Sequence, residues 1–482
     1  MPALGYYESS LGKTQAANPI NRQSPLAFSL LLNTLMKEVS KGMKDMRTVY
    51  DLVAAIAVAL AAVGCGTMAK QVVLHNPKVE HVLAKEQTDR TVTHQGYVET
   101  IGDADCRVTV LYVTGTPYEM GYEQGRLLKS EVHATIHDVE DGALKLLPKA
   151  VRNSNLLSER DKRDIVDTLL DRAWQKMRPY TPRADLEEMQ GLADGSGIPL
   201  QVIHRMHAIP DVGETSCSAL VARDTATRDG HVYQLRILDY GANFNLQRRP
   251  LITVYRPNSA NAFVNIGWIG FVGVISGMNE KGVALSEMGF GNPPGETLAG
   301  QPMPFLLKSV LRYANTADEG ATLIRAARRT NSYVYFLGDK EGGAVGMITS
   351  AQNFLAYRAN EQDELKVGNL LLPQFKDVVY GGHYEEKQAQ LVREMTGTFD
   401  VPVIEDLARQ IAMKSNLQTV IYDLTAGKIW VANRKDNTRA ADRPYVEFHL
   451  SDAWAKYLAP TAPAQPTANA APSPVTAAHN VN

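Results

Sequence analysis

The sequence predicts an α+β protein in which helices stack on two antiparallel sheets, and three observations carry that expectation. Residues 130–210 place apolar side chains at three-to-four spacing, with prolines at the breaks, which is the period of packed helices. From Cys217 onward the chain turns to short apolar runs separated by Gly, Asn or Pro, the pattern of strands joined by tight turns. A helical first half ahead of a strand-rich second half suits helices layered on sheets. The chain has 482 residues, 44% of them hydrophobic and 21% charged, ordinary values for a globular protein. No period of solenoid length repeats.

The first 65 residues stand apart from that fold. Leu52 to Val63 is an apolar run too short to span a bilayer and suited to a signal-peptide core. Lys44 and Arg47 supply a positive flank, diluted by Asp45 and Asp51. Ala62-Val63-Gly64-Cys65 follows and resembles a bacterial lipoprotein cleavage site, with Cys65 as the lipidated residue, although leucine is more usual where Ala62 stands. Met43 and Met46 would each begin a leader of normal length, so residues 1–42 read as a misassigned start. The alternative for this stretch is an ordinary apolar helix.

Residues 66–106 are polar, weakly patterned, and lead into the fold. Arg107–Val113 alternates and is β-branched, a strand. Thr114-Gly115-Thr116-Pro117 turns the chain into a helix that opens at Tyr118. After the helical stretch, strands are expected at Val221–Arg223, Val232–Leu238, Leu251–Tyr255, Ala262–Ile266, Val272–Ser276 and Val283–Met288. Pro302–Tyr313 and Thr316–Arg329 read as helices. Tyr333–Gly338, Ala344–Thr349, Phe354–Arg358, Thr419–Asp423 and Lys428–Asn433 return to strand. The stretch 459–482 is rich in Ala, Pro and Thr and reads as disordered.

Charge and cysteine usage exclude some functions. A formal net charge of −2 gives no electrostatic case for nucleic-acid binding. The three cysteines, Cys65, Cys106 and Cys217, have spacings that fit neither a zinc site nor a disulfide framework. His133 and His137 stand four apart and His204 and His207 three apart, but neither pair carries the glutamate of a zinc-protease motif, and no third ligand is evident. Nothing in the chain argues for a metal or a cofactor.

The residues with a chemical reading cluster around Cys217. It opens an apolar run, Cys217–Ala222, preceded by the polar Glu214-Thr215-Ser216, a segment suited to being cut. A cysteine there is either a small core residue or a nucleophile, and as a nucleophile it needs a base near neutral pH. Cleavage between Ser216 and Cys217 would supply one, because a freed α-amine has a pKa of about 7.7–8.0. Arg236 and Asp239 close the next strand. A three-residue separation places them on opposite faces of an extended strand, so a bulge or strand end must intervene if both are to reach the cysteine. Asp239 would orient a newly formed ammonium. Arg236 would pair with Asp239 or grip a substrate carboxylate, and the plain alternative is a salt bridge at the sheet rim. Asn279 sits in a hairpin turn, Asn279-Glu280-Lys281-Gly282. Glu287 lies beyond the following strand as a pocket candidate. Asn331 is either a strand cap or the amide that stabilises a tetrahedral oxyanion.

Together these segments resemble the acyl-coenzyme A:6-aminopenicillanic-acid acyltransferase-like family, relatives of choloylglycine hydrolases and penicillin V acylases. The resemblance rests on Gly115-Thr116-Pro117-Tyr118-Glu119-Met120-Gly121-Tyr122-Glu123-Gln124-Gly125, on Cys217-Ser218-Ala219 followed by Asp229-Gly230 and Arg236-x-x-Asp239, and on Ser276–Gly282. It implies a four-layer αββα sandwich of the N-terminal-nucleophile hydrolase type. Residues 66–216 would then be a propeptide or small-subunit part, cut from the nucleophile-bearing part, 217–458, at Ser216-Cys217. It also implies Cys217 as nucleophile, Asp239 near the new amine, Asn331 at the oxyanion, and Arg236 in the substrate pocket. Two positions depart from the family pattern. Ile237 stands where asparagine usually follows the arginine, and Asn331 is displaced by a few residues.

The function expected is a self-processing amidohydrolase or acyltransferase acting on linear acyl-amide bonds of small molecules. Its expected place is the periplasm or cell envelope, held to the membrane only by a lipid on Cys65. The rival reading is a ligand-binding lipoprotein that uses the same scaffold without catalysis.

Overall fold

The structure is a computed structural model and describes residues 96–213, 216–289, 297–361, 364–367, 370–382 and 386–458. The leader, Cys65 and the 459–482 tail lie outside them. The first sheet begins earlier than the sequence suggested. β1 (Tyr97–Ile101) pairs antiparallel with β2 (Val108–Gly115), and Tyr97 stacks on its ladder partner Tyr112 with ring centroids 4.4 Å apart. One short alternating run is a weak signal alone; the cross-strand aromatic pair gives it a partner.

Six helices follow. They are α1 (Pro117–Leu127), α2 (Lys129–Ala143), α3 (Lys149–Arg152), α4 (Glu159–Met177), α5 (Arg183–Ser196) and α6 (Leu200–Val212). Capping boxes start two of them, Thr116 with Glu119 at α1 and Ser158 with Asp161 at α4. Helices α1 and α5 cross at backbone distance. A Cβ on Gly121 would lie 2.0 Å from the Glu188 carbonyl oxygen, and one on Gly191 would lie 2.0 Å from the Tyr118 carbonyl oxygen. Glycine at these positions is therefore what permits the crossing.

The rest of the chain builds two sheets. It runs β3 (Ser216–Ala222), β4 (Tyr233–Asp239), β5 (Pro250–Pro257), β6 (Phe263–Trp268), β7 (Gly277–Asn279) and β8 (Ala284–Gly289), then α7 (Met303–Tyr313) and α8 (Ala317–Ala326). Next come β9 (Tyr333–Gly338), β10 (Ala344–Thr349), β11 (Phe354–Arg358), the two-stranded pair β12 (Glu364–Val367) and β13 (Leu370–Pro373), and β14 (Val378–Gly381). The chain closes with α9 (Glu386–Met395), α10 (Val401–Ile411), β15 (Gln418–Asp423), β16 (Lys428–Asn433), β17 (Val446–His449) and α11 (Leu450–Leu458). The larger sheet has the order β1-β2-β5-β6-β7-β8-β9-β10-β11, and the smaller β14-β3-β4-β15-β16-β17. Strands β3 and β4 pack face to face on β8 and β9. Helices α1, α7 and α8 lie against the larger sheet, and α10 lies against β4 and β15 of the smaller. The result is the four-layer αββα order expected.

Several expectations differ in detail. The sheets are antiparallel except that β2 runs parallel to β5, a pairing that the long helical crossover between them allows. Val272–Ser276 is not a strand. The Val272 amide donates to His207 Nε2, the Val274 amide to the Pro304 carbonyl, and the Gly273 carbonyl accepts from Asn265 Nδ2, so these backbone groups are taken before any ladder forms. The helix expected to reach Arg329 stops at Ala326. The Arg329 guanidinium donates to the carbonyls of Ile324, Arg325 and Ala327 and closes the helix end. Strands β12, β13, β14 and β17 and helices α9, α10 and α11 were not anticipated.

A buried ionic cluster ties the early helices to the later ones. Lys308 Nζ on α7 donates to Glu188 Oε2 at 2.6 Å, and Arg312 donates to Asp185 Oδ1 at 2.6 Å and to Glu188 Oε2 at 3.0 Å. Burial pushes the Asp185 carboxyl up and the Lys308 ammonium down, while each is opposed by its partners. Among the described residues no helix is long and apolar enough to cross a membrane.

Candidate active site around Cys217

The site is assembled by the β3–β4 hairpin and the facing strand β8. Ladder register sets Ser216 opposite Asp239, Cys217 opposite Leu238 and Ala219 opposite Arg236. Directly opposed residues share a face, so Cys217, Ala219 and Arg236 point toward the other sheet. The small Ala219 leaves room for Arg236, which is fully buried. Arg236 Nη2 donates to Glu287 Oε1 of β8 at 2.6 Å, a pairing between the sheets rather than one with Asp239. Its Nε and Nη1 have no hydrogen-bond partner among the described residues, so the guanidinium keeps two unused donors in a buried place.

Asp239 lies beside this group but turns the other way. One residue on from Leu238, it lies on the opposite face of β4, where Oδ1 accepts the Met413 amide at 3.2 Å. Burial pushes its carboxyl up to about 7, against the pull of Arg236 and Arg439. Cys217 is a protonated thiol here, because burial pushes it up to about 12. Arg236 and the Asp239 backbone amide act in the opposite sense, while the Glu287 and Asp239 charges add to the rise.

An apolar cavity opens next to the cysteine. It encloses about 650 Å³ of empty space, solvent at its mouth included. Leu238, the ladder partner of Cys217, lines it together with Tyr240, Trp268, Phe271 and Met303 from after Cys217, and Met206 and Ile209 of α6 from before it. Glu287 is the charged group on its wall. The cavity is therefore shaped for hydrocarbon, with Glu287, the partner of Arg236, on its wall.

The Asn331 amide is engaged at the end of α6, where its Nδ2 donates to the backbone carbonyl of Asp211 at 2.5 Å. Asn279 anchors its turn: Oδ1 accepts the Lys281 and Val283 amides, and Nδ2 donates to the Leu311 and Ala314 carbonyls at the end of α7. Cys106 is partly buried with its thiol on Asp103.

The histidines have structural contacts. His133 Nε2 contacts the Ser196 carbonyl, His137 lies 3.6 Å from Asp141, and His204 stacks on Trp174. His207 is fully buried between Phe271 and Phe305, its Nδ1 on the Ile203 carbonyl and its Nε2 accepting the Val272 amide, and burial pushes it down to about 3. Among the described residues no group of three or more His, Cys, Asp or Glu side chains is placed to hold a metal ion.

Two residues of the site escaped the sequence reading. Tyr240, directly after Asp239, lines the cavity, and burial, with the Glu287 charge adding to it, pushes its hydroxyl up. Asp211 is a buried acid at the end of α6. The only sequence hint was an acid behind a proline at a helix end, where the helix dipole disfavours it.

No family model matches the chain. Over 369 residues it is 28% identical to protein dcd1A of Dictyostelium discoideum, covering 70% of this chain and 82% of that one. Among solved structures it is similar to a Caenorhabditis elegans ortholog of N-acylethanolamine-hydrolyzing acid amidase. That likeness has 13% identity and a TM-score of 0.35, and covers 43% of this chain and 93% of the other. Penicillin V acylase from Agrobacterium tumefaciens follows at 11% identity and a TM-score of 0.32, covering 49% of this chain and 86% of its own. Scores of this size bear on neither fold nor reaction, and the layer order above rests on this chain's own packing. The acyltransferase-like resemblance remains a resemblance.

Proposed function

We propose that this chain is a self-activating cysteine amidase of the N-terminal-nucleophile type, acting on small amides with an apolar acyl group. The observation that carries the reading is the placement of Cys217. It sits at the start of an interior strand, on the same face as a buried arginine with two unused donors, and its ladder partner Leu238 lines an apolar cavity. A structural cysteine needs no such guanidinium beside it.

In self-cleavage, Cys217 Sγ attacks the Ser216 carbonyl carbon, the Ser216–Cys217 C–N bond breaks, and the thiol proton passes to the departing nitrogen. Water then hydrolyses the thioester, leaving a Ser216 carboxylate and a Cys217 with free amine and thiol. In turnover, that amine takes the thiol proton as Sγ attacks the substrate carbonyl, and returns it to the leaving amine. Water, with the amine as base, releases the acid; an amine in place of water gives acyl transfer. The high pKa of the thiol in the uncut chain makes a base on the same residue the natural means of activation. Arg236 supplies the nearest positive charge, and the cavity takes the acyl group.

Intact mass and turnover of anilides of graded acyl length test this reading. The wild-type chain should yield two fragments joining at Ser216-Cys217 and should lose activity on thiol alkylation, while Cys217→Ala stays whole and inactive. A Cys217→Ala protein that cuts and turns over normally would refute the assignment. A uniformly uncut, inactive wild-type chain would favour the ligand-binding alternative. Export and a lipid on Cys65 are separate proposals, checked by the mass of the N-terminal peptide from membranes.

A further inference from the structure

We propose that Asp211 is a positioning residue for self-cleavage, fixing the last turn of α6 against the body of the protein and so setting where the chain enters the Ser216–Cys217 bond. This rests on the proposed function. Asp211 stands five residues before Ser216 in the chain. Its side chain is buried, and Oδ1 accepts the Met303 amide at 3.1 Å and the Thr330 hydroxyl at 2.7 Å. Its own carbonyl accepts Asn331 Nδ2, and the Pro210 carbonyl before it accepts the Tyr333 hydroxyl at 3.4 Å.

The last carbonyls of a helix have no partner inside it, and here side chains of one segment, 330–333, supply them. Every one of these grips lies after Cys217 in sequence, so cutting the chain leaves them in place. The same turn contributes Ile209, Pro210 and Gly213 to the cavity wall.

Stability alone gives a poor reason for an acid there. A carboxylate at a helix C-terminus opposes the dipole, and this one is buried toward the like charge of Glu287. Its Oδ2 has no hydrogen-bond partner among the described residues. Burial, with Glu287 adding to it, pushes the carboxyl up to about 7, and Thr330 and the Met303 amide pull against them. The titrating groups that feel it are Glu287 on β8 and Tyr240 after β4. Polar groups held at such cost cluster at functional sites.

The test is the rate of self-cleavage in full-length wild type, Cys217→Ala, Asp211→Ala and Asp211→Asn, with folding checked by circular dichroism. Misplacing a reacting group by about 1 Å can cost a factor of roughly a hundred, so folded Asp211→Ala should cut at least tens of times more slowly than wild type. Asp211→Asn keeps an acceptor oxygen and mimics the protonated acid; it should cut at close to the wild-type rate and with a flatter pH profile from about 5 to 8. Folded Asp211→Ala cutting as fast as wild type overturns the inference. If that variant does not fold, Thr330→Val, which removes one grip and keeps the shape, decides in the same way. A wild-type chain that never cuts removes the parent reading and this one with it, a result distinct from wild type and Asp211→Ala cutting equally fast.

Discussion

Arg236 shows how one side chain couples structure to chemistry. Buried and joined to Glu287 at 2.6 Å, it sits on the face that carries Cys217. Arg236→Met removes the charge that favours the thiolate and strands Glu287 in the interior. Breaking a buried pair costs about 3–5 kcal/mol, so denaturant unfolding should show a loss of that size, and self-cleavage should slow sharply. Asp211 gives a pH effect with a definite sign. Its folded pKa, about 7, lies above its ordinary value of 3.8, so its stabilising contribution is present at low pH and is lost as pH rises through about 7. His204 and His207, pushed down to about 4 and 3, act oppositely and lose stability as pH falls below 6.5. Comparing wild type with Asp211→Asn cancels the histidines. Relative to the variant, wild type should lose stability between pH 4 and pH 8, and equal curves would contradict the shift.

At the scale of elements, the helices before Cys217 do more than cover a sheet. Helix α6 forms one wall of the cavity through Met206 and Ile209, facing strand and loop residues from after Cys217. Ile209→Trp should therefore raise KM for long acyl groups more than for short ones, read from kcat/KM across a graded series. A uniform change would place the acyl group elsewhere. The α1–α5 crossing makes a second prediction. With only 2.0 Å between a Cβ on Gly191 and the Tyr118 carbonyl oxygen, Gly191→Ala must push the helices apart. Overpacking of this kind costs roughly 1–3 kcal/mol or more, and a lower Tm in the Cys217→Ala background, where the chain is uniform, would show it.

Over the whole molecule, the two sides of the proposed cut are joined by the Asp185–Glu188–Lys308–Arg312 cluster and by the grips on Asp211. Lys308→Met removes one of the two cations on Glu188, and should lower stability by about 3–5 kcal/mol in denaturant unfolding of the Cys217→Ala chain. The same joins predict that the cut fragments elute together under native conditions. Periodicity made the helices of the first half and most strands of the second legible, since each depends on neighbours within a few residues. The place of Cys217 at a strand start was legible from its apolar run, Arg236 was singled out by its Arg-x-x-Asp spacing and the resemblance, and Glu287 by its place beside a strand. Tertiary structure alone decided that Arg236 pairs across the sheets with Glu287, that Asn331 holds the end of α6, that residues 272–276 lose their ladder to His207 and Asn265, and that Asp211 is buried. Those outcomes depend on groups brought together from far apart in the chain, where burial sets the charge and the partner of each, and a local pattern carries no record of either.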